Sequence, residues 1–318
     1  MDTETARIIK IGASHIRSDL DFALADLEAL MGLTALLKQQ PREFAHVLDG
    51  KQMAILTEKP SFRTTLSLAT AIQALGGHYV LHDFRGARIG EREPVCDIAR
   101  NASEMVDVVA ARVFDHETIE ELARWANIPV INALCDMYHP LQALADFFTL
   151  RERFGKLRGL KLVFVGDGNN VCHSLMLTAA QLGVNMISCN AENYLPNRDV
   201  IEMAQRLAVQ SGSTLEVTTE LYDAVTGAHA IYTDVWASMG QEADISRRRK
   251  ELRGYQVNRD VMSRAADDAV FMHCLPAHRG EEVASEVIES PASVVHVQAG
   301  NRKHTAMALL LMLLAKQV

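Results

Sequence analysis

The chain has 318 residues, of which 48% are apolar, and a net charge of −8 from 32 basic and 40 acidic residues. This length predicts two domains, and the acidic balance argues against a nucleic acid partner. Five scattered cysteines without a C-x-x-C pair predict reduced thiols in a cytoplasmic protein and no structural zinc. The N-terminus lacks a signal-peptide pattern, and the longest apolar run, 306–315, is too short to span a bilayer.

The first elements are a helix and a strand. Apolar residues at helical spacing between 17 and 40 predict a packing helix, or two helices separated at Gly32. The apolar run 52–56 then predicts a buried strand, and the spacing of 66–75 predicts a helix that ends at Gly76.

The segment 58–65 between that strand and that helix is the first candidate site. The first N–H groups of a helix and its dipole favour an anion. Ser61 and Thr64 add hydroxyl donors, and the planar guanidinium of Arg63 fits a phosphate. An N-cap serine followed by an exposed arginine explains the same residues equally well.

A second strand is predicted at 78–82, and its two histidines lack a third metal ligand. The following segment, 83–95, is rich in charge, glycine and proline, which predicts a loop. Two hypotheses remain for this loop. Either it is simply solvated, or it is mobile and carries Arg88 to an anion.

The next candidates stand at a strand end and a helix start. A strand predicted at 106–113 has Arg112 near its carboxyl end, where open α/β sheets bind ligands. After a predicted helix at 116–126 and a strand at 128–132, His139 precedes Pro140, which suits the first turn of a helix. A lone histidine is usually structural, but one that opens a helix with Gln142 just inside is a better site candidate.

The charged stretch 151–159 marks a domain boundary. A strand at 161–165 then leads into Gly166-Asp167-Gly168-Asn169-Asn170 and a helix at 171–182. This pattern is similar to the start of a dinucleotide-binding unit, but Val171 stands where the third glycine belongs. The dinucleotide signal is therefore weak.

Further strands are predicted at 186–189, 215–217, 230–233 and 270–272. Asp234 follows the third of these, and His273-Cys274-Leu275-Pro276 follows the fourth. Adjacent residues on a strand point to opposite faces, so His273 is not expected to activate Cys274 as a nucleophile. The segment 298–302 is predicted to follow a strand and to precede the last helix.

Together these motifs resemble those of the aspartate and ornithine carbamoyltransferases over nearly the whole chain. The segment 58–65 resembles the Ser-Thr-Arg-Thr-Arg phosphate loop, with departures at Phe62 and Thr65, and 139–142 matches His-Pro-x-Gln. Gly-Asp-Gly-Asn-Asn, Asp-x-x-x-Ser-Met-Gly and His-Cys-Leu-Pro are similar to the ornithine-using members. Asn301-Arg302 resembles their terminal segment, although Gly300 replaces the usual acidic residue.

The resemblance implies an α/β fold with two doubly wound domains, each with a central, mainly parallel sheet flanked by helices. Residues 1–145 with the C-terminal helix 303–318 would bind carbamoyl phosphate, and residues 146–302 would bind ornithine. The implied reaction carbamoylates the side-chain amine of L-ornithine in arginine metabolism, giving L-citrulline and phosphate. No metal or organic cofactor, no nucleic acid and no membrane is implied, and a homotrimer, or a multiple of trimers, with shared sites is expected.

The resemblance also implies the site residues. The expected catalytic residues are Arg63, Arg112, His139, Cys274 and Arg302. The expected carbamoyl-phosphate contacts are Ser61, Phe62, Arg63, Thr64, Arg88, Arg112, His139, Gln142, Cys274, Leu275 and Arg302, with Arg88 supplied by the adjacent subunit. The expected ornithine contacts are Asn170, Asp234, Ser238 and Met239. Arg112, His139 and Thr64 are expected to donate hydrogen bonds to the oxyanion of the tetrahedral intermediate.

Three alternatives stay open. The departures at Phe62, Thr65 and Arg88 allow another amine acceptor, such as lysine, an acylated ornithine or putrescine. An NAD-dependent oxidoreductase rests only on Gly166-x-Gly168. A non-catalytic paralogue is disfavoured, because the candidate arginines, His139, Gln142, Asp234 and Cys274 are all present.

Overall fold

The computed structural model describes residues 9–85, 87–237 and 244–315. The chain divides into two compact units, Met1–Phe148 with Gly300–Val318, and Thr149–Ala299. Each unit contains its own parallel sheet with helices between the strands, as the predicted α/β class requires. Within the described ranges, no helix combines the length and the hydrophobicity needed to cross a membrane.

The first unit is built on a four-stranded sheet. Its strands are β1 (Gln52–Thr57), β2 (His78–Asp83), β3 (Val108–Arg112) and β4 (Val130–Leu134), in the order β2-β1-β3-β4. Its helices are α1 (Leu24–Gln39), α2 (Phe62–Ala74), α3 (Val95–Met105), α4 (His116–Trp125) and the first part of α5 (Pro140–Phe154). The strand order reverses between β1 and β3, where Thr57 pairs with Arg112 at the carboxyl ends. Ligands of open parallel sheets bind at such a switch point.

Helix α1 is continuous through Gly32 and begins only at Leu24. The prediction of a helix from residue 17, or of a break at Gly32, was therefore wrong in both respects. Residues 19–21 form a separate 3-10 turn capped by Ser18. A glycine inside a helix costs about 1 kcal/mol relative to alanine, and the buried apolar face of α1 outweighs that cost.

The second unit is built on a five-stranded parallel sheet. Its strands are β5 (Lys161–Gly166), β6 (Asn185–Asn190), β7 (Leu215–Thr218), β8 (Ala230–Thr233) and β9 (Val270–His273), in the order β7-β6-β5-β8-β9. Its helices are α6 (Asn170–Leu182), α7 (Arg198–Ser211), α8 (Leu221–Val225), α9 (Ile245–Leu252), α10 (Arg259–Met262) and α11 (Ser285–Ile288). The order reverses between β5 and β8, so the turn at 166–170 and Asp234 lie at adjacent strand ends.

The last helix, α12 (Val295–Leu314), begins earlier than predicted. Residues 298–302 lie inside it, so the prediction of a segment between a strand and a helix was wrong. The strand that was predicted before residue 298 is present only as a single β-bridge between Ser293 and Phe271. Gly300 does not interrupt the helix, whose C-terminal half, 306–313, is buried apolar surface. The predicted terminal helix is thus confirmed in its second half and extended at its start.

Candidate active site

The predicted helix start at Ser61 is present. Ser61 is the N-cap of α2, with φ −152, and its Oγ accepts a hydrogen bond from the backbone N–H of Thr64 at 3.3 Å. Arg63 and Thr64 therefore lie in the first turn of α2, at the carboxyl end of β1. The side chain of Phe62 is 76% exposed, so this residue offers the site its backbone rather than its ring.

Arg302 of α12 forms side-chain contacts with residues at the start of α5 and in the first turn of α2. Its Nη1 donates to Gln142 Oε1 at 2.7 Å and lies 3.3 Å from His139 Nε2. Its Nη2 donates to Thr64 Oγ1 at 3.3 Å, and Arg112 Nη1 donates to the same oxygen at 3.5 Å. The fold thus gathers five of the predicted residues into one buried cluster, which we call the Arg302 cluster.

His139 in this cluster is neutral. Burial, followed by the positive charges of Arg302, Arg112 and Arg63, lowers its pKa well below the usual 6.5. A guanidinium only donates hydrogen bonds, so His139 Nε2 accepts from Arg302. The lone pair of Nε2 is directed at Arg302, so the proton of the neutral ring is on Nδ1, and the expectation that His139 donates to an oxyanion stays a prediction for that nitrogen.

Thr64 and the arginines remain as donors. Thr64 Oγ1 accepts from both Arg112 and Arg302 and still carries its own proton, which it can donate to a ligand. The three arginines that lower the pKa of His139 place several positive charges around one buried point. In a protein of net charge −8, such a local concentration of positive charge is suited to an anion.

Lys59 is a basic residue of this region that the sequence interpretation missed. Its Nζ lies 4.2 Å from the centre of the Phe114 ring, and the residue is buried. Burial and then the charge of Arg112 lower the pKa of Lys59 below its usual 10.5. Only its position next to the segment 60–65 could have drawn attention to it.

Arg88 does not join the Arg302 cluster of its own chain. It forms an ion pair with Asp115 and lies over the Phe114 ring, 4.7 Å from its centre. The loop that carries it is held by Glu58, whose Oε1 accepts from Ile89 N at 2.5 Å and whose Oε2 accepts from Phe114 N at 2.6 Å. Arg88 is thus a surface residue at the edge of the first unit.

In the second unit, Asp234 is buried at the end of β8 and is held from two sides. Cys274 Sγ donates to its Oδ1 at 2.9 Å, and Asn169 Nδ2 donates to its Oδ2 at 2.7 Å. Asn169 also caps α6, accepting from Val171 N and Cys172 N. The predicted Asn170 is the first residue of that helix, and its neighbour Asn169, which was not among the expected ornithine contacts, is the residue bonded to Asp234. The predicted Ser238 and Met239 lie outside the described residues.

His273 is occupied by structural contacts. Leu275 N donates to its Nδ1 at 2.8 Å, so its Nε2 carries the proton and donates to Glu282 Oε1 at 3.1 Å. The neighbouring Cys274 is bonded to Asp234 instead. The prediction that His273 does not activate Cys274 is confirmed. Leu275, with φ 60, is one of two described non-glycine residues with positive φ.

Comparisons with known proteins agree with this architecture. Residues 14–152 match the family domain described as aspartate/ornithine carbamoyltransferase, carbamoyl-P binding domain. Residues 158–313 match the Asp/Orn binding domain of the same family. The chain belongs to the aspartate/ornithine carbamoyltransferase family.

Individual relatives match over most of their length. The ornithine carbamoyltransferase of Thermococcus kodakarensis is 44% identical over 305 residues, covering 95% of this chain and 97% of that protein. The anabolic ornithine carbamoyltransferase of Pyrococcus furiosus is 48% identical over 264 residues, covering 83% and 84%. The solved structure of ornithine carbamoyltransferase from Pyrococcus furiosus matches with a TM-score of 0.92 at 42% identity, covering 96% of this chain and 98% of that one.

Backbone geometry and packing explain the two glycines of the 166–170 turn. A Cβ at Gly168 would lie 2.3 Å from Pro196 N, so only glycine fits against that backbone. Gly166 has φ +127, a conformation that side chains rarely adopt. Both residues are accounted for without a dinucleotide.

A partly buried arginine, Arg248, holds this turn. Arg248 Nη1 donates to Asp167 Oδ2 at 2.8 Å and to Trp236 O at 2.9 Å. Burial raises the pKa of Asp167 to about 6, and the charge of Arg248 opposes that rise. Asp167 is two residues before Asn169, and Trp236 is two residues after Asp234. Arg248 therefore holds both of the segments that the hydrogen bond between Asn169 and Asp234 connects.

Two groups of described residues bring possible metal ligands within 4.8 Å of one another. In Asp234-His273-Cys274, both ring nitrogens of His273 are engaged by Leu275 and Glu282. In His278-Glu281-Glu282, both oxygens of Glu281 accept from Arg249 at 2.9 and 2.6 Å. Each group thus contains one residue, His273 or Glu281, whose possible ligand atoms are both already used in protein contacts.

Proposed function

We propose that this chain transfers the carbamoyl group of carbamoyl phosphate to the side-chain amine of L-ornithine, giving L-citrulline and phosphate. The observation that carries the proposal is the convergence of Arg63, Arg112 and Arg302 on the neutral His139. It supports an anionic ligand bound at the switch point of the first sheet. The names of the relatives in Thermococcus and Pyrococcus support carbamoyl transfer and ornithine as the acceptor.

The phosphate group is proposed to bind at the start of α2. Free N–H groups, the helix dipole and the hydroxyls of Ser61 and Thr64 favour an anion there. Arg63 adds a full charge and a two-pronged donor. As the C–O bond to phosphate breaks, the leaving group gains negative charge that these donors stabilise.

The carbonyl oxygen is proposed to face Arg112, Thr64 and Arg302. Negative charge builds on this oxygen as the amine attacks, and donors already held in place stabilise it without reorganisation. The contacts of Thr64 with both arginines support such a preorganised arrangement. Removing one donor of this kind typically lowers kcat by roughly 10²–10³.

Ornithine is proposed to bind through Asp234 and Asn170 together with Ser238 and Met239, with Cys274 and Leu275 contributing to the reaction site. A free alkylamine has a pKa of about 10.4, so the attacking nitrogen has to lose a proton first. The amine adds to the carbonyl carbon and forms the C–N bond of a tetrahedral intermediate, whose C–O bond to phosphate then breaks. The departing phosphate takes up the second amine proton. This sequence uses neither a metal nor an organic cofactor.

The protein is proposed to act in the cytoplasm as a homotrimer whose sites are shared, with Arg88 reaching the neighbouring site. Five free cysteines support a reducing compartment. Exposed apolar side chains on α2 and β2 support self-association of the first unit; they are Phe62, Leu66, Tyr79, Val80 and Leu81. The loop 83–95, which carries Arg88, is proposed to enter the neighbour's site.

A carbamoylation assay tests the proposed function. The purified protein is mixed with carbamoyl phosphate and, in separate reactions, with L-ornithine, L-lysine, N-acetyl-L-ornithine, putrescine or L-aspartate. We expect citrulline and equimolar phosphate with L-ornithine and much slower product formation with the others. Preferential carbamoylation of another amine would overturn ornithine as the acceptor and keep the transfer reaction.

A further inference from the structure

The side-chain amide of Gln142 lies between a guanidinium group and a carboxyl group. Its Oε1 accepts from Arg302 Nη1 at 2.7 Å, and its Nε2 donates to Asp146 Oδ1 at 2.8 Å. Gln142 and Asp146 are four residues apart on α5 and so share a face of the helix. Both are buried, with exposed fractions of 1% and 0%.

These two contacts allow only one orientation of the amide. A guanidinium has donors and no acceptor, and Asp146 Oδ1 is the acceptor for the NH₂ of Gln142. Turning the amide over would place its NH₂ against Arg302 and its oxygen against Asp146. Both contacts would then be lost in a buried setting, where unmade hydrogen bonds are costly. Asp146 therefore holds the carbonyl oxygen of Gln142 towards the Arg302 cluster.

We propose that Asp146 is a positioning residue that presents Gln142 as a hydrogen-bond acceptor and thereby selects carbamoyl phosphate over acyl phosphates such as acetyl phosphate. The inference rests on the proposed function. A carbonyl oxygen has two lone pairs, of which Arg302 uses one. The second accepts from the NH₂ of a carbamoyl group. Acetyl phosphate has a methyl group at that place and leaves the acceptor unpaired.

A purely structural role for Asp146 predicts something different. If the carboxylate only offset the charge of Arg302 or stabilised α5, its loss would weaken the binding of carbamoyl phosphate and of acetyl phosphate to the same degree. If Gln142 acts as an acceptor, the loss of Asp146 changes the ratio of kcat/KM for carbamoyl phosphate to kcat/KM for acetyl phosphate. The two compounds share the phosphate and the carbonyl group and differ only in the NH₂ or methyl group. The ratio is therefore the informative measurement.

Asp146→Asn in the full-length protein is the main test. The substitution keeps the shape of the side chain, but an asparagine amide both donates and accepts, so only Arg302 still favours the observed orientation of the Gln142 amide. Carbamoyl phosphate and acetyl phosphate are compared through kcat/KM for phosphate release with L-ornithine and through Kd by calorimetry. We expect the affinity and kcat/KM for carbamoyl phosphate to fall by a factor of roughly 10–100. The values for acetyl phosphate should change little. An equal loss for both would overturn the proposal.

Asp19→Asn is the matched control, because Asp19 is also a buried carboxylate of the first unit and lies outside the proposed site. It is expected to leave the carbamoyl-to-acetyl ratio at the parental value. If it shifts the ratio as far as Asp146→Asn does, loss of any buried charge explains the effect and the proposal falls.

Gln142→Met gives an independent answer if Asp146→Asn does not fold. Methionine has a similar volume and no strong acceptor, so the carbamoyl-to-acetyl ratio should fall. An unchanged ratio would overturn the proposal. Where both variants fold, adding Asp146→Asn to Gln142→Met should lower the ratio no further. If the parent protein does not carbamoylate ornithine, the proposed function fails, while the two dissociation constants still test the role of Asp146.

Discussion

Cys274 Sγ donates a hydrogen bond to Asp234 Oδ1 at 2.9 Å. The two residues directly follow neighbouring strands, β8 and β9, whose last residues Thr233 and His273 are paired in the sheet. With Asn169 on the other oxygen, the carboxylate of Asp234 is held in one orientation. A buried, oriented carboxylate is suited to an ammonium group, and this leads to the first prediction.

Asp234→Asn is expected to raise KM for L-ornithine at least about tenfold, because a hydrogen bond between charged groups is replaced by a neutral one. The Kd for carbamoyl phosphate, measured by calorimetry without ornithine, should stay close to the parental value. Asp260→Asn, on an exposed part of α10, is the control. A matching loss of affinity for both substrates would indicate a damaged fold instead.

Arg63→Ala is expected to lower kcat/KM for carbamoyl phosphate by roughly 10²–10³, because a full charge is removed from the start of α2. Arg63→Lys should recover little of this, since an ammonium cannot make the two parallel hydrogen bonds of a guanidinium. Steady-state kinetics and phosphate-binding calorimetry measure the effect. Arg100→Ala, on the exposed side of α3, is the control. Unchanged affinity for carbamoyl phosphate in Arg63→Ala would remove Arg63 from the site.

Arg88→Ala is expected to be nearly inactive as a pure trimer, as is Arg63→Ala. When the two variants are unfolded, mixed in equal amounts and refolded together, about a quarter of the sites should contain both intact arginines from different chains. Activity should reappear to a corresponding degree. Mass spectrometry would establish that mixed trimers form. If they form and remain inactive, Arg88 does not act in a shared site, and its pairing with Asp115 is then its role.

The pH dependence of the free energy of unfolding should show the raised pKa of Asp167. Burial raises its pKa to about 6 from the usual 3.8, so the folded protein holds this proton more tightly than the unfolded chain. Unfolding releases the proton between about pH 4 and pH 6, and the contribution of this group to the free energy of unfolding falls as pH rises through that window. It is then constant above the window.

Asp167→Asn should remove that slope, since asparagine does not titrate and its amide oxygen still accepts from Arg248. Urea unfolding at several pH values across the window measures the effect, with Asp260→Asn as the exposed-carboxylate control. A slope equal to that of the parent protein would show that Asp167 titrates at an ordinary value in the folded state.

The sequence by itself determined the alternation of strands and helices, because each element is encoded in local periodicity. Apolar runs located the nine strands of the two sheets, and Ser61 and Pro140 marked two helix starts correctly. Local signals were insufficient at Gly32, where a break between two helices was one of two alternatives, and at 298–302, which was predicted to precede the last helix. In both cases burial of an apolar helix face, which depends on distant partners, outweighed the local preference.

Only the tertiary structure decided how the site residues are used. That Arg302 meets Gln142, 160 positions away along the chain, follows from the packing of α12 in the first unit. The neutral state of His139, the orientation of the Gln142 amide by Asp146 and the bracing of Asp234 by Asn169 are consequences of such contacts. Charge state and hydrogen-bond direction depend on burial and on the partner opposite, and neither is encoded in the spacing of residues along the chain.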